Sequence, residues 1–385
     1  MLYYYGQDIL CFRQREGFII MSVIGKAKNG LQLLKCELKG SFKSRKLTSE
    51  AVNVPVDFVV AWVDDKDERW QKEREKYFHP SIERNDIERY REWNQFMYWF
   101  RSVEKYAPWV RKIHLVTCGH YPSWLNLNHE KINLVKHEDF IPKEYLPTFQ
   151  TSPIELNLHR IKGLAEHFVY FNDDMYLNRP TKKQDFFNGI YPKCCNIPSP
   201  IKNYGQMGVH EYKRLNNVGL MNGRFGIRNS ILKNPELWFN RCYRIDWKYH
   251  RRAFRENYLY GMFFPHLGTP MIKSTMKNAW NAFEEYFDRV CHHKFRTPCD
   301  VFQQVFTVGD IINGNFFPVS KDYFGKYFSI FNNIDEIEKS LKEETELMLC
   351  FNDSGEINET NFDYFKSRLD DALNKKFPEK SSYEI

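Results

Sequence analysis

Apolar runs alternate with amphipathic stretches through the first half of the chain. Short runs rich in Val, Ile and Phe predict strands at residues 54–62, 113–117, 132–135 and 168–171. Over residues 84–106, aromatic and aliphatic side chains recur at helical spacing, which predicts a helix with one face in the core. Strands that alternate with helices are typical of a mostly parallel sheet. The pattern therefore predicts an α/β fold with a Rossmann-like (GT-A-like) sheet and flanking helices.

The second half of the chain is less regular. Pro and Gly residues interrupt the sequence beyond residue 180 and predict a loop-rich region. Helical periodicity returns over residues 235–258 and 275–290, and the charged stretch at 334–376 is predicted to be helical. We accordingly predict a main domain over residues 53–330 and a helical C-terminal tail over residues 331–385.

Residues 1–52 form a basic N-terminal extension with weak periodicity. Its basic side chains are Lys26, Lys28, Lys35, Lys39, Lys43, Arg45 and Lys46. We interpret the extension as a leader of little structural weight, and a small added element or an arm on a membrane surface are the alternatives. No stretch of the sequence reaches the roughly 20 apolar residues of a membrane span. We therefore expect a cytoplasmic protein, with peripheral contact between this basic segment and the inner face of the membrane as its one membrane interaction.

Composition excludes several classes of protein. A hydrophobic fraction of 42% and an aromatic fraction of 17% in 385 residues are typical of a globular chain with a large core. The 56 basic and 49 acidic residues leave a net charge of +7. Because these basic residues are dispersed, we predict no nucleic-acid partner. The nine cysteines include no CxxC pair, which favours reduced thiols in the cytosol.

Acidic residues follow two of the predicted strands. Asn172, Asp173 and Asp174 come directly after the strand at 168–171, and Asp64 follows the strand at 54–62. Two adjacent carboxylates repel each other unless a cation, an Arg or a shared proton compensates. Open α/β sheets bind ligands at the carboxyl ends of their strands, and hard divalent cations prefer oxygen ligands. The triplet thus predicts either a metal-binding site or an Asx turn, and the spacing alone does not decide between them.

Two later segments carry further candidate chemistry. His266 lies between Pro265 and Pro270 on a constrained loop, where an imidazole can serve as a general acid or base; a structural histidine is the alternative. Arg296 can clamp a phosphate through two hydrogen bonds, with Asp300 orienting it or a neighbouring histidine, or the two can form a surface ion pair. The histidines and cysteines at residues 291–299 match no common zinc spacing.

Several blocks together resemble the Stealth family of sugar-1-phosphate transferases. These are bacterial capsular and exopolysaccharide phosphotransferases, related to the catalytic part of N-acetylglucosamine-1-phosphotransferase. The first block spans residues 56–65, and the second and longest spans residues 101–174. Motifs within the second block are Pro122-Ser-Trp124, Leu146-Pro-Thr-Phe149 and His159-Arg160. Shorter similarity continues at His266 and at residues 296–300.

The resemblance implies a UDP-sugar donor, a saccharide acceptor and a cofactor, Mg²⁺ or Mn²⁺. It implies that an acceptor hydroxyl attacks the sugar-bearing phosphate, that UMP leaves and that a phosphodiester forms. Asp173 and Asp174 would hold the metal, or one of them would activate the acceptor. At matching positions the resemblance further implies His266 as the general base or as the group closest to the transferred phosphoryl. Arg296 would stabilise that phosphoryl group, with Asp300 orienting it. Trp62, Asp64 and Arg101 would line the nucleotide pocket, Arg160 would lie near the diphosphate, and Asn172 and His159 would act in support.

Two other functions compete with this hypothesis. A glycosyltransferase with a similar donor fold would break the sugar C1–O bond and release UDP. A non-catalytic carbohydrate-binding protein would use the acidic clusters only as turns. After incubation with a UDP-sugar, release of UMP would indicate the phosphotransferase and release of UDP the glycosyltransferase. A lack of metal-dependent turnover would favour the carbohydrate-binding protein.

Overall fold

A computed structural model describes residues 12–79, 91, 93–202, 208–353 and 355–385, with side chains from residue 28 onward. The α-helices are α1 (Phe12–Lys43), α2 (Glu68–Tyr77), α3 (Phe96–Tyr106), α4 (His137–Phe140), α5 (Thr151–Asn157), α6 (Lys183–Phe186), α7 (Val209–Arg224), α8 (Ile227–Lys233), α9 (Pro235–Trp238), α10 (Trp247–Glu256), α11 (Lys273–Cys291), α12 (Gln304–Asn313), α13 (Ile330–Glu343) and α14 (Phe362–Lys376). The strands are β1 (Val56–Ala61), β2 (Ile113–Thr117), β3 (Ile132–Lys136), β4 (His167–Asn172), β5 (Met175–Leu177), β6 (Phe187–Asn188), β7 (Tyr191–Cys194), β8 (Thr269–Ile272), β9 (Phe317–Pro318), β10 (Gly325–Ser329) and β11 (Met348–Asn352).

The central sheet has the strand order β3-β2-β1-β4-β8. The first four of these strands are parallel, and β8 runs antiparallel to β4. The chain builds outward from β1 to β3, then returns to the other side of β1 to form β4. Such a reversal creates a crevice at the carboxyl ends of the two central strands. The predicted Rossmann-like, mostly parallel α/β sheet is confirmed.

Strand β4 is buried on both faces, as its unbroken apolar sequence requires. Phe168 and Tyr170 pack into one core, and Val169 and Phe171 pack into the core on the opposite side of the sheet. The period of two along a strand produces this division. Its neighbour β1 divides in the same way, so the two central strands are fixed in register from both sides, with Ala61 opposite Asn172.

Most predicted helices of the first half are confirmed with shorter bounds. The carboxylate of Asp67 accepts a hydrogen bond from the backbone N–H of Trp70 at 2.7 Å and caps α2. The helix predicted over residues 84–106 is present as α3, while its first part at 84–90 lies outside the described residues. The helical periodicity over residues 235–258 corresponds to α9 and α10, which are separated by a 3-10 turn with a non-helical residue, Tyr243.

The C-terminal tail contains a strand as well as helices. Helices α13 and α14 confirm the amphipathic pattern, but β11 lies between them and was not predicted. It pairs in parallel with β10 and antiparallel with β5, where Cys350 is opposite Met175. The tail therefore joins the strand that directly follows the acidic triplet. The domain boundary at residue 330 stays a prediction.

The N-terminal extension has structural weight, so its interpretation as a leader was wrong. Helix α1 packs against α9, with Leu33 and Cys36 in the buried core. A side chain at Gly40 would lie 2.4 Å from the backbone oxygen of Pro235, so only glycine permits this close approach. Weak periodicity concealed the helix because its contact face is narrow. In the part of the chain that the structure describes, no helix combines the length and apolar character needed to cross a bilayer.

Because Asp310 in α12 is buried, we predict that the free energy of unfolding depends on pH. Burial raises the pKa of its carboxyl from 3.8 to about 8. The folded state therefore holds this proton more tightly than the unfolded state, and the resulting stabilisation is complete below about pH 3.8 and lost as the pH rises through about 8. We expect Asp310→Asn to flatten this loss, which can reach about 1.4 kcal/mol per pH unit. Urea unfolding at several pH values measures the free energy of unfolding. Asp322→Asn, at an exposed site, is the control. Parallel plots of this free energy against pH for wild type and Asp310→Asn would contradict the raised pKa of Asp310.

Candidate active site

A cavity of about 980 Å³ opens at the carboxyl ends of β1 and β4. Trp62 and Val63 line it from the end of β1, and Asn172 and Asp173 line it from the end of β4. This is the crevice that the reversal of strand order creates. Later parts of the chain, including α7 and the segments around residues 266, 296 and 353, supply the remaining walls.

Asp174 lies at the centre of the polar groups in this cavity. Its Oδ2 is 3.8 Å from Nε2 of His266 and accepts a hydrogen bond from the thiol of Cys350 at 3.3 Å. Its Oδ1 is buried and has no hydrogen-bond partner among the described residues. The backbone oxygen of Asp174 accepts from the N–H of Phe351 at 3.0 Å, so β11 fixes the turn. A buried, unpartnered carboxylate oxygen favours a ligand site over the simple turn.

The direction of β8 places His266 beside the acidic triplet. Because β8 is antiparallel to β4, the loop that precedes it lies where β4 ends, with Thr269 opposite Tyr170. His266 has a φ of +49°, an uncommon conformation for a residue other than glycine. Close packing holds the loop: a side chain at Gly268 would lie 2.5 Å from the ring of Phe171. The imidazole is thus fixed in a strained loop, which is typical of functional sites.

Arg296 reaches the cavity from a braced loop between α11 and α12. Asp300 is fully buried and accepts hydrogen bonds from the backbone N–H of Thr297 at 2.8 Å and its hydroxyl at 3.0 Å. It also lies 2.6 Å from Nδ1 of His293. Through Thr297 and His293, the carboxylate organises the loop around Arg296. Asp300 acts on the position of Arg296 through the backbone.

A cluster of cations shares the cavity with the acidic triplet. Lys213 and Arg214 line it from the first half of α7, together with Arg296. Burial raises the pKa of the Glu155 carboxyl, and the nearby Lys213 and Arg296 oppose that rise through their positive charges. Both cations therefore act on one buried carboxylate that lines the cavity. The ammonium of Lys213 also lies 5.6 Å from the centre of the Phe302 ring.

Sequence reasoning missed these cations and the end of β11. His210, Lys213 and Arg214 recur at the spacing of one helix face, a signal that could have found them. The sequence Phe-Asn-Asp occurs at residues 171–173 and again at 351–353, in each case at the end of a strand. This repeat identifies Asp353, which lines the cavity and accepts a hydrogen bond from the indole N–H of Trp93 at 3.0 Å.

Two predicted nucleotide-pocket residues lie away from the cavity wall. Asp64 follows the lining residue Val63, and its carboxylate accepts a hydrogen bond from the N–H of Lys66 at 2.9 Å, which makes it a turn residue. The guanidinium of Arg101 donates to Glu384 at 2.7 Å and to the backbone oxygen of Phe377 at 2.9 Å. The prediction that Arg101 lines the pocket is corrected, because these contacts tie α3 to the C-terminal segment.

His159 and Arg160 are also displaced from the cavity wall. The guanidinium of Arg160 stacks 4.9 Å from the centre of the Trp280 ring, and the side chain is exposed. The ring of His159 lies 6.0 Å from that of Trp280. Burial lowers the pKa of His159 to about 4, so its imidazole is neutral. Both residues lie against α11 and outside the cavity lining, and the role of Arg160 near the diphosphate stays a prediction.

The residues in the cavity fit a divalent cation. Asp174, His266 and Cys350 form the one group of potential ligands that converges within 4.8 Å among the described residues. Burial raises the pKa of the Cys350 thiol well above its usual value, so the sulfur remains protonated and is a poor ligand. The unpartnered oxygen of Asp174 and the neighbouring carboxylate of Asp173 supply the hard oxygen atoms that Mg²⁺ and Mn²⁺ prefer.

Substitution of Cys350 tests whether its thiol positions Asp174. Cys350→Ala removes the donor to Asp174, and we expect turnover to fall by about 10-fold and half-maximal activity to require more metal, since such partners contribute about 10–100-fold. Cys350→Ser keeps a donor and should retain most of the activity. Steady-state rates over a Mn²⁺ titration measure both. Cys194→Ala leaves a similar void at another buried cysteine; equal effects of Cys350→Ala and Cys194→Ala would contradict the role.

Similar proteins are consistent with this geometry. A family model described as Stealth protein CR2, conserved region 2, matches residues 89–193. The capsular polysaccharide phosphotransferase WcwK of Streptococcus pneumoniae is 37% identical over 337 residues, which cover 86% of this chain and 98% of that protein. The receptor polysaccharide phosphotransferase WefC of Streptococcus oralis is 36% identical over 348 residues, 86% of this chain and 99% of the relative. The exopolysaccharide phosphotransferase cps2G of Lactiplantibacillus plantarum is 32% identical over 342 residues, 86% and 96% respectively.

Proposed function

Because the chain belongs to the Stealth family and is a phosphotransferase of polysaccharide synthesis, we propose that it transfers a sugar 1-phosphate from a UDP-sugar to a saccharide hydroxyl. The product is a phosphodiester between the two sugars, and UMP is released. The phosphate transfer itself follows from the family. The donor, the leaving group and the roles of individual residues are the parts that we propose.

One observation carries the proposal, namely that opposite charges line a single cavity at the switch point of the sheet. Asp173 and Asp174 form an acidic side, and Lys213, Arg214 and Arg296 form a basic side. A diphosphate with a divalent cation needs this combination, since carboxylates hold the cation while basic side chains bind the phosphate oxygens. Phosphoryl transfer depends mainly on such positioning and charge neutralisation. A site that bound only neutral sugar would gain little from buried cations.

The reaction has a simple balance of bonds. The acceptor oxygen forms a bond to the sugar-bearing phosphorus, and the bond from that phosphorus to the bridging oxygen of the diphosphate breaks. The bridging oxygen leaves with UMP. His266 accepts the proton of the acceptor hydroxyl at Nε2, and the neighbouring Asp174 carboxylate, 3.8 Å away, stabilises the imidazolium that forms.

Other residues orient the donor and neutralise charge. Arg296, fixed by its braced loop, binds the oxygens of the transferred phosphoryl group, and Lys213 adds a second positive charge from α7. A divalent cation bound by Asp173 and Asp174 would neutralise charge on the diphosphate and its leaving oxygen. Trp62, whose ring stacks on Phe96 at 5.6 Å, forms a rigid wall for the nucleotide at the end of β1.

Product analysis tests the proposed function directly. We expect incubation with Mn²⁺, a panel of UDP-sugars and capsular oligosaccharide acceptors to release UMP and to add the mass of one sugar phosphate to the acceptor. Mass spectrometry identifies both products. Release of UDP with addition of the sugar alone would instead support the glycosyltransferase function. A complete lack of metal-dependent turnover with any donor would support a carbohydrate-binding protein.

A further inference from the structure

The outward face of α1 carries apolar side chains that no part of the described chain covers. They are Leu31, Leu34, Leu38 and Phe42, which are between 53% and 65% exposed. Their spacing of three or four residues places them on one stripe of the helix. We call this set the outer stripe. Single exposed leucines are ordinary, but a continuous apolar stripe marks an interaction surface.

The outer stripe is separate from the face by which α1 joins the protein. Leu33, Cys36 and Gly40 form the buried face against α9. Beside that face, Glu37 forms a two-pronged ion pair with Arg251 of α10, with both bonds at 2.8 Å. The helix is therefore held by one side, and the outer stripe remains available to a partner.

Basic side chains border the outer stripe. The exposed ones are Lys28, Lys35, Lys39, Lys43 and Lys46. Lys35 and Lys39 each follow a leucine of the stripe by one residue, about 100° around the helix, so the two sets are neighbours. Glu37 is the sole acidic residue between positions 28 and 46, and it is already paired with Arg251. The surface thus combines exposed apolar groups with an uncompensated positive charge.

We propose that α1 docks flat on the surface of an anionic lipid bilayer. Its outer stripe enters the boundary between headgroups and acyl chains, and its lysines bind the anionic headgroups. A second copy of this chain is a poorer partner, because it would bring further lysines against these lysines.

Vesicle sedimentation with the full chain tests the proposal. We expect binding to vesicles of equimolar phosphatidylcholine and phosphatidylglycerol, weakening with added salt, and little binding to pure phosphatidylcholine. The triple variant Lys35→Gln, Lys39→Gln, Lys43→Gln should lower the partition coefficient on the order of 100-fold, because each lysine contributes about fivefold. The triple variant Leu31→Ser, Leu34→Ser, Leu38→Ser should lower it by about 10-fold or more.

Matched controls remove exposed groups of the same kind elsewhere. Ile245→Ser removes an apolar side chain that is 89% exposed, and Lys339→Gln removes a lysine from α13. Both controls should bind vesicles like the wild type. Unchanged binding of the two triple variants would overturn the proposal. A wild-type dimer that becomes a monomer in the leucine variant, without any vesicle binding, would overturn it in favour of a second copy. None of these readouts depends on the proposed reaction.

Discussion

Replacing His266 with alanine is expected to lower the rate of UMP release by about 10²–10⁴-fold, the usual contribution of a general base. The imidazole lies 3.8 Å from Asp174, and its loop is fixed by the close packing at Gly268. The loss should fall on kcat more than on KM, because the proton moves only as the acceptor attacks. Initial rates with a saturating UDP-sugar measure the effect.

Added imidazole provides a second readout for His266. A small base that enters the vacated space should restore part of the activity of His266→Ala and should leave the wild type unchanged. His292→Ala is a suitable control, because His292 is exposed on the loop after α11. A His266→Ala variant that folds normally by circular dichroism and retains near-normal turnover would remove this residue from the mechanism.

The second large effect is expected for Asp174→Asn. The amide keeps the shape of the carboxylate but removes its charge, so it weakens both the cation site and the stabilisation of the imidazolium. We expect UMP release to fall by about 10²-fold or more, with a higher concentration of Mn²⁺ needed for half-maximal activity. The metal dependence separates this role from that of His266, whose removal should leave the Mn²⁺ requirement nearly unchanged.

Asp173→Asn is the matched comparison for Asp174. Both carboxylates line the cavity, and Asp174 lies 3.8 Å from His266 and accepts a hydrogen bond from Cys350. We therefore expect the Asp173 variant to lose less activity than the Asp174 variant. A larger loss for Asp173→Asn would assign the cation to the first carboxylate instead.

Local patterns explain how much of the fold was predictable. The β1 and β4 runs are mostly apolar, as a buried parallel strand requires, and β2 and β3 each carry three apolar residues out of five. By contrast, Met348–Asn352 lies between two strongly amphipathic helices and is too short to be distinguished from them by periodicity. The 32-residue helix α1 was missed because only one narrow edge faces the core. Its outward positions carry the exposed leucines of the outer stripe, which obscure a simple apolar–polar periodicity.

The residues of the candidate site were likewise predictable only where a local pattern reveals them. Asn172, Asp173 and Asp174 were predictable because they follow a strand within one continuous segment of the sequence. Lys213 and Cys350 were not, since their proximity to the triplet depends on α7 and β11 packing from distant parts of the chain. Arg101 shows the opposite error: it is basic and lies in a matching block, but Glu384 and Phe377 of the C-terminal segment are its partners.

The pairing of β5 with β11 has a consequence for how the protein is made. Asp174 and its thiol donor Cys350 are separated by 176 residues. At roughly 5–20 residues per second, a ribosome needs about 10–35 s to synthesise that interval. Throughout this time β4 can already form, while the acidic turn lacks the strand that fixes it. A nascent chain can therefore form β1 to β4 before β11 exists to fix the carboxylates, and we expect catalytic competence only after the C-terminal segment has paired with β5.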